Sequence, residues 1–419
     1  MRFTTIVVLA CMTMSAAYAG DKARKNTMTL DQVIINVLEK NPQFGINDYE
    51  AQAAAARIRK ATQTTPIEFK VDFANFAGSG NFSSSNQLET TLSLVKILES
   101  NDKVTSREEL SEHSKNLLST EQDGKRLDLL ASATEQFIHV VIDQHRLKIV
   151  KDHLALVQHT LNIVNQRVKV GKSHVAEQRR LAIDFARAEL ELEHAEHELE
   201  TSRLKLATYW GETKPVFISA QTDLFKLPIV SPFAELETLL LNNPDLVRFA
   251  SAERIAKARL KLAQTRRSSN IQLSGGIRHF KNTNDTALIM SLSIPFGSTS
   301  RAQPEIDEMQ LLVQQEPLHY QQQYLVLYRS LFEIYQELQH ARTAYDALSQ
   351  RIIPEANQAA TDYEQGYKSG RFSLLELNEA QATLLDSQLE EVMAAAKYHR
   401  LKIEIERLTG SALRSGDQQ

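Results

Sequence analysis

LKIVKDHLALVQHTLNIVNQRVKVGKSH, residues 147–174, decides the architecture. Its apolar positions Leu147, Val150, Leu154, Val157, Leu161, Val164 and Val168 step alternately by 3 and 4 residues. A repeat averaging 3.5 residues keeps one stripe against a partner helix as the two supercoil, which is the signature of a coiled-coil seam. The same stepping runs through Leu181, Phe185, Ala188, Leu192, Ala195 and Leu199. It returns in Leu327, Leu331, Ile334, Leu338, Ala341, Tyr345, Leu348 and Ile352. The first of these helices is predicted from about Thr105 to Val170, on the order of 100 Å at 1.5 Å per residue. Helices this long pack as a rod, an extended bundle or a tube.

Working outward from Gly171, the chain proves to be one pattern written twice. Gly171 in Gly-Lys-Ser-His has a counterpart in Gly370 of Gly-Arg-Phe-Ser, and each is followed 40 residues later by another glycine, Gly211 and Gly410. Upstream, Leu38-Glu39-Lys40-Asn41-Pro42 is echoed by Leu241-Asn242-Asn243-Pro244. The Ala-rich segment 54–61 aligns with 256–263 at the same offset of 202. The duplicated units are 20–211 and 233–410, joined by a linker at 212–232 that holds Pro215, Pro228 and Pro232, with a tail at 411–419.

Each unit also carries two strand-like stretches between helices, at about 67–76 and 86–98 and at about 271–280 and 286–296. Ile67-Glu68-Phe69-Lys70-Val71-Asp72-Phe73 alternates strictly between apolar and charged residues, so the strand has two unlike faces. Ten residues is the length that a tilted outer-membrane strand needs. Soluble hairpins have the same pattern, and the strands alone leave both readings open.

Composition narrows the function classes. The 419 residues carry 48 basic and 52 acidic side chains, a net charge of −4, which gives no footprint for nucleic acid. Fourteen glycines and ten prolines are about half the usual share, as expected for long regular elements. Arg2, the apolar run Ile6 to Ala10 and Ala17-Tyr18-Ala19 read as a secretory signal peptide over 1–19. Its cleavage would remove Cys11, the single cysteine, and with it any disulfide; the competing reading makes Cys11 a lipidated N-terminus. No nucleophile elbow, P-loop or zinc-protease motif is present, which argues against an enzyme. His194 and His197 share a helix face and have metal-ligand spacing. The run Glu191 to Glu198 around them, however, reads as a solvated charged face, and no metal site is assigned to them.

Four strands per chain cannot close a barrel, and open edges cannot face lipid, so strands in a membrane would require several copies. At this point the sequence resembles the TolC-type outer-membrane efflux channels over essentially its whole length beyond the signal. The resemblance rests on the paired Asn-Pro motifs, the helix–strand–strand–helix order in each half and the repeated Gly-x-x-Ser/His turn. The stretch Ile271 to Phe296 looks most like the branch serving heavy-metal and cation pumps, although the residues after Pro295 depart from that branch's Arg-Asn form. The resemblance implies a mixed α/β membrane protein, a homotrimer with a 12-stranded outer-membrane β-barrel continued by a periplasmic α-helical coiled-coil barrel. The linker would lie in its equatorial region. Such a channel is no enzyme and takes no cofactor. Its partners would be outer-membrane lipid, a periplasmic adaptor (membrane fusion) protein and an inner-membrane transporter, an RND-type pump being one candidate. A type I protein-secretion duct and a soluble periplasmic coiled-coil scaffold are the alternative readings.

Site residues come from the same resemblance. The family places acidic residues after the second-half glycine in the lumen, where Glu376 and Glu379 stand here, three apart on one helix face. Three copies around a narrow axis would repel, raise some of their pKa values and favour cations. The family also ties its two halves together through a tyrosine and an arginine bonded to an acid. Tyr367 matches the tyrosine and Glu177 the acid; Phe372 occupies the arginine's place, with Arg371 next to it.

Overall fold

The computed structural model describes residues 27–410; the signal segment 1–19 with Cys11, and the tail 411–419, lie outside the described residues. In chain order the elements are β1 (Thr27–Met28), α1 (Leu30–Lys40), α2 (Pro42–Ala61), β2 (Ile67–Ala74), β3 (Glu89–Leu98), α3 (Asn101–Lys169) and α4 (Val175–Thr208). The second half continues with β4 (Ser219–Ala220), α5 (Phe233–Leu240), α6 (Pro244–Thr265), β5 (Ile271–Phe280), β6 (Asp285–Ser293), α7 (Ser298–Ala347), α8 (Ile353–Ser369) and α9 (Leu374–Thr409). The chain divides into two units that cut across the sequence repeats. One takes residues up to 45, 125–243 and 326 onward; the other takes 46–124 and 244–325. No helix among the described residues is long and apolar enough to cross a membrane.

In the first unit the heptad seams are buried as their spacing requires. Val150, Val157 and Val164 of α3 are buried at seven-residue intervals, as are Leu181, Ala188 and Ala195 of α4 and Leu331 and Leu338 of α7. Beyond Leu348 the predicted seam fails, because a π turn at Leu348–Ile352 separates α7 from α8 and leaves Ile352 44% exposed. Pro354, with no N–H to donate, follows at once, and the turn widens around the missing bond.

The core of this unit gathers Val33, Val37, Phe137, Val141, Leu206 and Trp210, each contributing roughly 1.5–3 kcal/mol of burial. The segment 212–232 is packed rather than loose: Phe217 and Leu224 are buried, and Ala220 exchanges two hydrogen bonds with Gln144, at 2.7 and 2.9 Å. The Asn-Pro motifs do the same work in each repeat. Asn41 Nδ2 donates to Tyr209 O at 2.6 Å, and Asn243 Nδ2 donates to Leu408 O at 2.8 Å. Each binds a carbonyl in the last turn before the closing glycine, and Gly211 (φ 80°) and Gly410 (φ 65°) both take the left-handed conformation that stops a helix.

The second unit carries an antiparallel sheet of order β2-β3-β5-β6. Its register puts Phe69 opposite Leu94, Leu94 opposite Gly275 and Gly275 opposite Met290. Side chains alternate between faces. One face therefore collects Ile67, Phe69, Val71 and Phe73 with Leu92, Leu273, Ile277, Leu288 and Leu292, all exposed in the protomer. The other face is polar: Lys70 pairs with Asp72 at 2.9 Å, and Arg278 with Glu89 at 3.1 Å and Thr91 Oγ1 at 2.9 Å. Outer strands β2 and β6 each pair on one side only among the described residues. β6 stops at Ser293, short of the expected 296, because Pro295 follows and its carbonyl accepts from Ser269 Oγ at 2.7 Å.

Candidate functional site

Two helical hairpins meet in the first unit, and their turns bring together residues about 200 positions apart in the chain. α3 closes on Gly171 (φ 73°), and His174 restarts the chain as α4 by accepting the Ala176 N–H on Nδ1 at 3.0 Å. α8 closes on Gly370 (φ 78°), and Ser373 begins α9. Between the turns lies a small core of Val164, Leu181, Tyr367, Leu374 and Leu377.

Tyr367 is 2% exposed, and its hydroxyl donates to Glu177 Oε2 at 3.0 Å, with Ser173 Oγ 3.3 Å away. Burial raises its pKa above the ordinary tyrosine value and the Glu177 charge adds to this, so it stays a donor at neutral pH. The structure thus brings Tyr367 and Glu177 together. Arg371 stays in its own turn, with Nε donating to Ser369 Oγ at 3.1 Å. Phe372 does not replace an arginine's bonding but fills a notch. Its ring covers Gly366, where a Cβ would lie 2.1 Å from Cδ2, and sits 4.7 Å from the Tyr363 ring.

The cation at this junction is Arg167, which sequence reasoning missed. Its Nη1 donates to Tyr367 O at 2.7 Å and Lys368 O at 2.9 Å, its Nε to Ser173 Oγ at 3.0 Å, and its Nη2 to Lys172 O at 3.4 Å. The guanidinium carbon also lies 4.7 Å from the Tyr367 ring centroid, a cation–π contact. The only sequence signal was a basic residue four positions before Gly171.

Glu376 and Glu379 are exposed on the first turns of α9. Glu376 completes a capping box: its carboxylate accepts from the Ser373 N–H and hydroxyl, both at 2.8 Å, while Ser373 Oγ accepts the Glu376 N–H. These bonds from Ser373 pull its pKa below the ordinary glutamate value, opposite in sign to the repulsion expected among three copies. Glu379 borders a cavity of about 400 Å³ shared with His153, Arg180, Asp184, Asn378 and Gln381. Across it Asn378 donates to Asp184 at 3.3 Å and the buried Gln381 to Thr160 Oγ1 at 3.0 Å. His194 and His197 pair separately along α4 with Glu198 at 3.3 Å and Glu193 at 3.4 Å. No cluster among the described residues could hold a metal ion.

Comparison with known proteins matches this architecture. The family model described as "Outer membrane efflux protein" matches residues 46–212 and again 236–411, one match to each repeat. The cobalt-zinc-cadmium resistance protein CzcC of Cupriavidus metallidurans is 26% identical over 314 residues, 75% of each chain. Among solved structures, CusC, described in terms of transmembrane channel formation, aligns at TM-score 0.75 and 17% identity over 91% of both chains. The outer-membrane channel OprN aligns at TM-score 0.73 and 17% identity, covering 91% of this chain and 89% of its own.

Proposed function

The chain belongs to the outer membrane efflux protein family and is a non-enzymatic outer-membrane efflux channel with a periplasmic helical domain; we propose that it conducts cations, heavy-metal ions among them. Channels of the family work as trimers in tripartite systems. Three copies of the four-stranded sheet would pair β2 with β6 between neighbours, giving a 12-stranded barrel with its apolar face to lipid and its polar face to the pore. Its partners in this reading are a periplasmic adaptor and an inner-membrane transporter of the RND type. Membership of the family removes the soluble-scaffold alternative.

The observation that carries cation conduction is the pair of exposed carboxylates, Glu376 and Glu379, one turn beyond the hairpin junction. The relationship to CzcC supports metals as the cargo. Tyr367 and Glu177 are then the tie that closes this end, joining one hairpin to the other. Planar-bilayer recordings across a salt gradient test the reading. Trimers carrying both E376Q and E379Q should lose most of their cation preference, and an unchanged reversal potential would remove these residues from the filter. Gln preserves an acceptor for the Ser373 cap, so the change isolates charge.

A further inference from the structure

We propose that Arg167 is the second arm of the closing tie, a positioning residue that takes the part expected of an arginine beside Gly370. The inference rests on the channel reading above and adds a residue to it. Arg167 touches both turns at once. From the end of α3 it reaches forward to its own turn at Lys172 O and Ser173 Oγ, and across to Tyr367 O and Lys368 O at the end of α8.

Three features make this more than a surface contact. First, the acceptors Tyr367 O and Lys368 O belong to the last turn of α8, where the dipole favours a cation; Tyr367 O also accepts the capping Gly370 N–H at 3.0 Å and offers Arg167 its second lone pair. Second, one planar guanidinium supplies several donors in fixed directions, which a lysine cannot reproduce. Third, Arg167 shares Ser173 and Tyr367 with the tyrosine–glutamate bond: Ser173 Oγ lies 3.0 Å from Arg167 Nε and 3.3 Å from the Tyr367 hydroxyl. The two bonds therefore form and break on the same pair of turns. Arg371, one residue after Gly370, spends its Nε on Ser369 within its own turn.

The test compares full-length trimers of wild type, R167A, R167K, R371A and Y367F in planar bilayers, with trimer integrity checked by heat-resistant migration. R167A should raise the open-state population about tenfold, and R167K should open the channel nearly as far because its ammonium cannot span both turns. R371A should behave as wild type. In the R167A/Y367F double variant the effect should fall short of the product of the singles, because both side chains bond the same Ser173 hydroxyl. Wild-type gating in both R167A and R167K, with intact trimers and Y367F open, would overturn the role of Arg167 and leave the channel reading standing. R371A opening the channel would also overturn it. No conductance in wild type and in every variant, with intact trimers, would overturn both. Should R167A fail to assemble, R167K decides alone.

Discussion

Replacing Tyr367 by Phe removes one oxygen and little else. The ring stays in its core with Val164, Leu181, Leu374 and Leu377, and the backbone carbonyl stays available to Arg167. The hydroxyl bond to Glu177 Oε2 at 3.0 Å is lost. A hydrogen bond to a charged acceptor contributes about 1.5–3 kcal/mol when fully buried. Glu177 is half-exposed, which brings the figure to about 1–1.5 kcal/mol. If that energy holds the junction closed, the open-to-closed ratio rises roughly five- to tenfold in Y367F. Single-channel recordings read this ratio directly. E177A should have a similar effect, and the double variant Y367F/E177A should add almost nothing to either single change. pH supplies a second arm. The folded pKa of Tyr367 is raised, so its contribution is complete below the ordinary value near ~10 and is lost as pH rises through the folded value. Wild-type channels should therefore open at strongly alkaline pH, where the phenolate would face Glu177, and Y367F should lack that step. An unchanged open fraction in Y367F, or additive effects in the double variant, would refute the reasoning.

Two further substitutions probe the scaffold. Asn243 is 3% exposed and binds the Leu408 carbonyl, so N243A should cost about 1–3 kcal/mol, read as a lower melting temperature of detergent-solubilised trimer; no change would mean that another donor replaces the amide. A Cβ at Gly276 would lie 2.3 Å from Leu92 O and 2.8 Å from Ser93 Cα, backbone atoms that cannot yield. G276V should therefore abolish heat-resistant trimer in the outer-membrane fraction. G275A, where nothing lies within 4 Å, should leave it intact, and equal behaviour of the two would contradict the strand register.

What the sequence makes legible depends on whether a side chain or the backbone carries the information. The seams of α3, α4 and α7 are readable because burial acts on side chains at a fixed period, and Val150, Val157 and Val164 obey it. The alternation in 67–73 is readable for the same reason. Arg167 was hidden because three of its four hydrogen-bond acceptors, Lys172 O, Tyr367 O and Lys368 O, are main-chain carbonyls, which every residue possesses, and two of these lie about 200 positions away. Phe372 misled in the opposite way: judged against an expected arginine it is a gap, whereas its role is set by the absent side chain of Gly366. The three prolines of 212–232 announced an irregular path but not its attachment. That depends on buried Phe217 and Leu224 and on Gln144 from the middle of α3.

Duplication alone would give two hairpins with identical turns, and identical turns have no reason to bind each other. The two repeats remain alike where each must complete its own fold. Asn41 and Asn243 bind Tyr209 O and Leu408 O in the same relation to Gly211 and Gly410. At the hairpin turns they have become complementary. The first repeat supplies the cation Arg167, the acceptor Glu177 and the shared hydroxyl of Ser173; the second supplies the donor Tyr367 and the carbonyls at the end of α8. Exchange the partners and the bonds vanish, because Val168 stands where Tyr367 does relative to its glycine, and Gly366 stands where Arg167 does. A contact that serves only the fold could have stayed symmetric, as the asparagines did. The acid is common to both repeats, Glu376 standing where Glu177 does, so it is the donors Arg167 and Tyr367 that diverged. In the proposed latch, the junction's strength would rest on these few polar bonds, which can be exchanged for water.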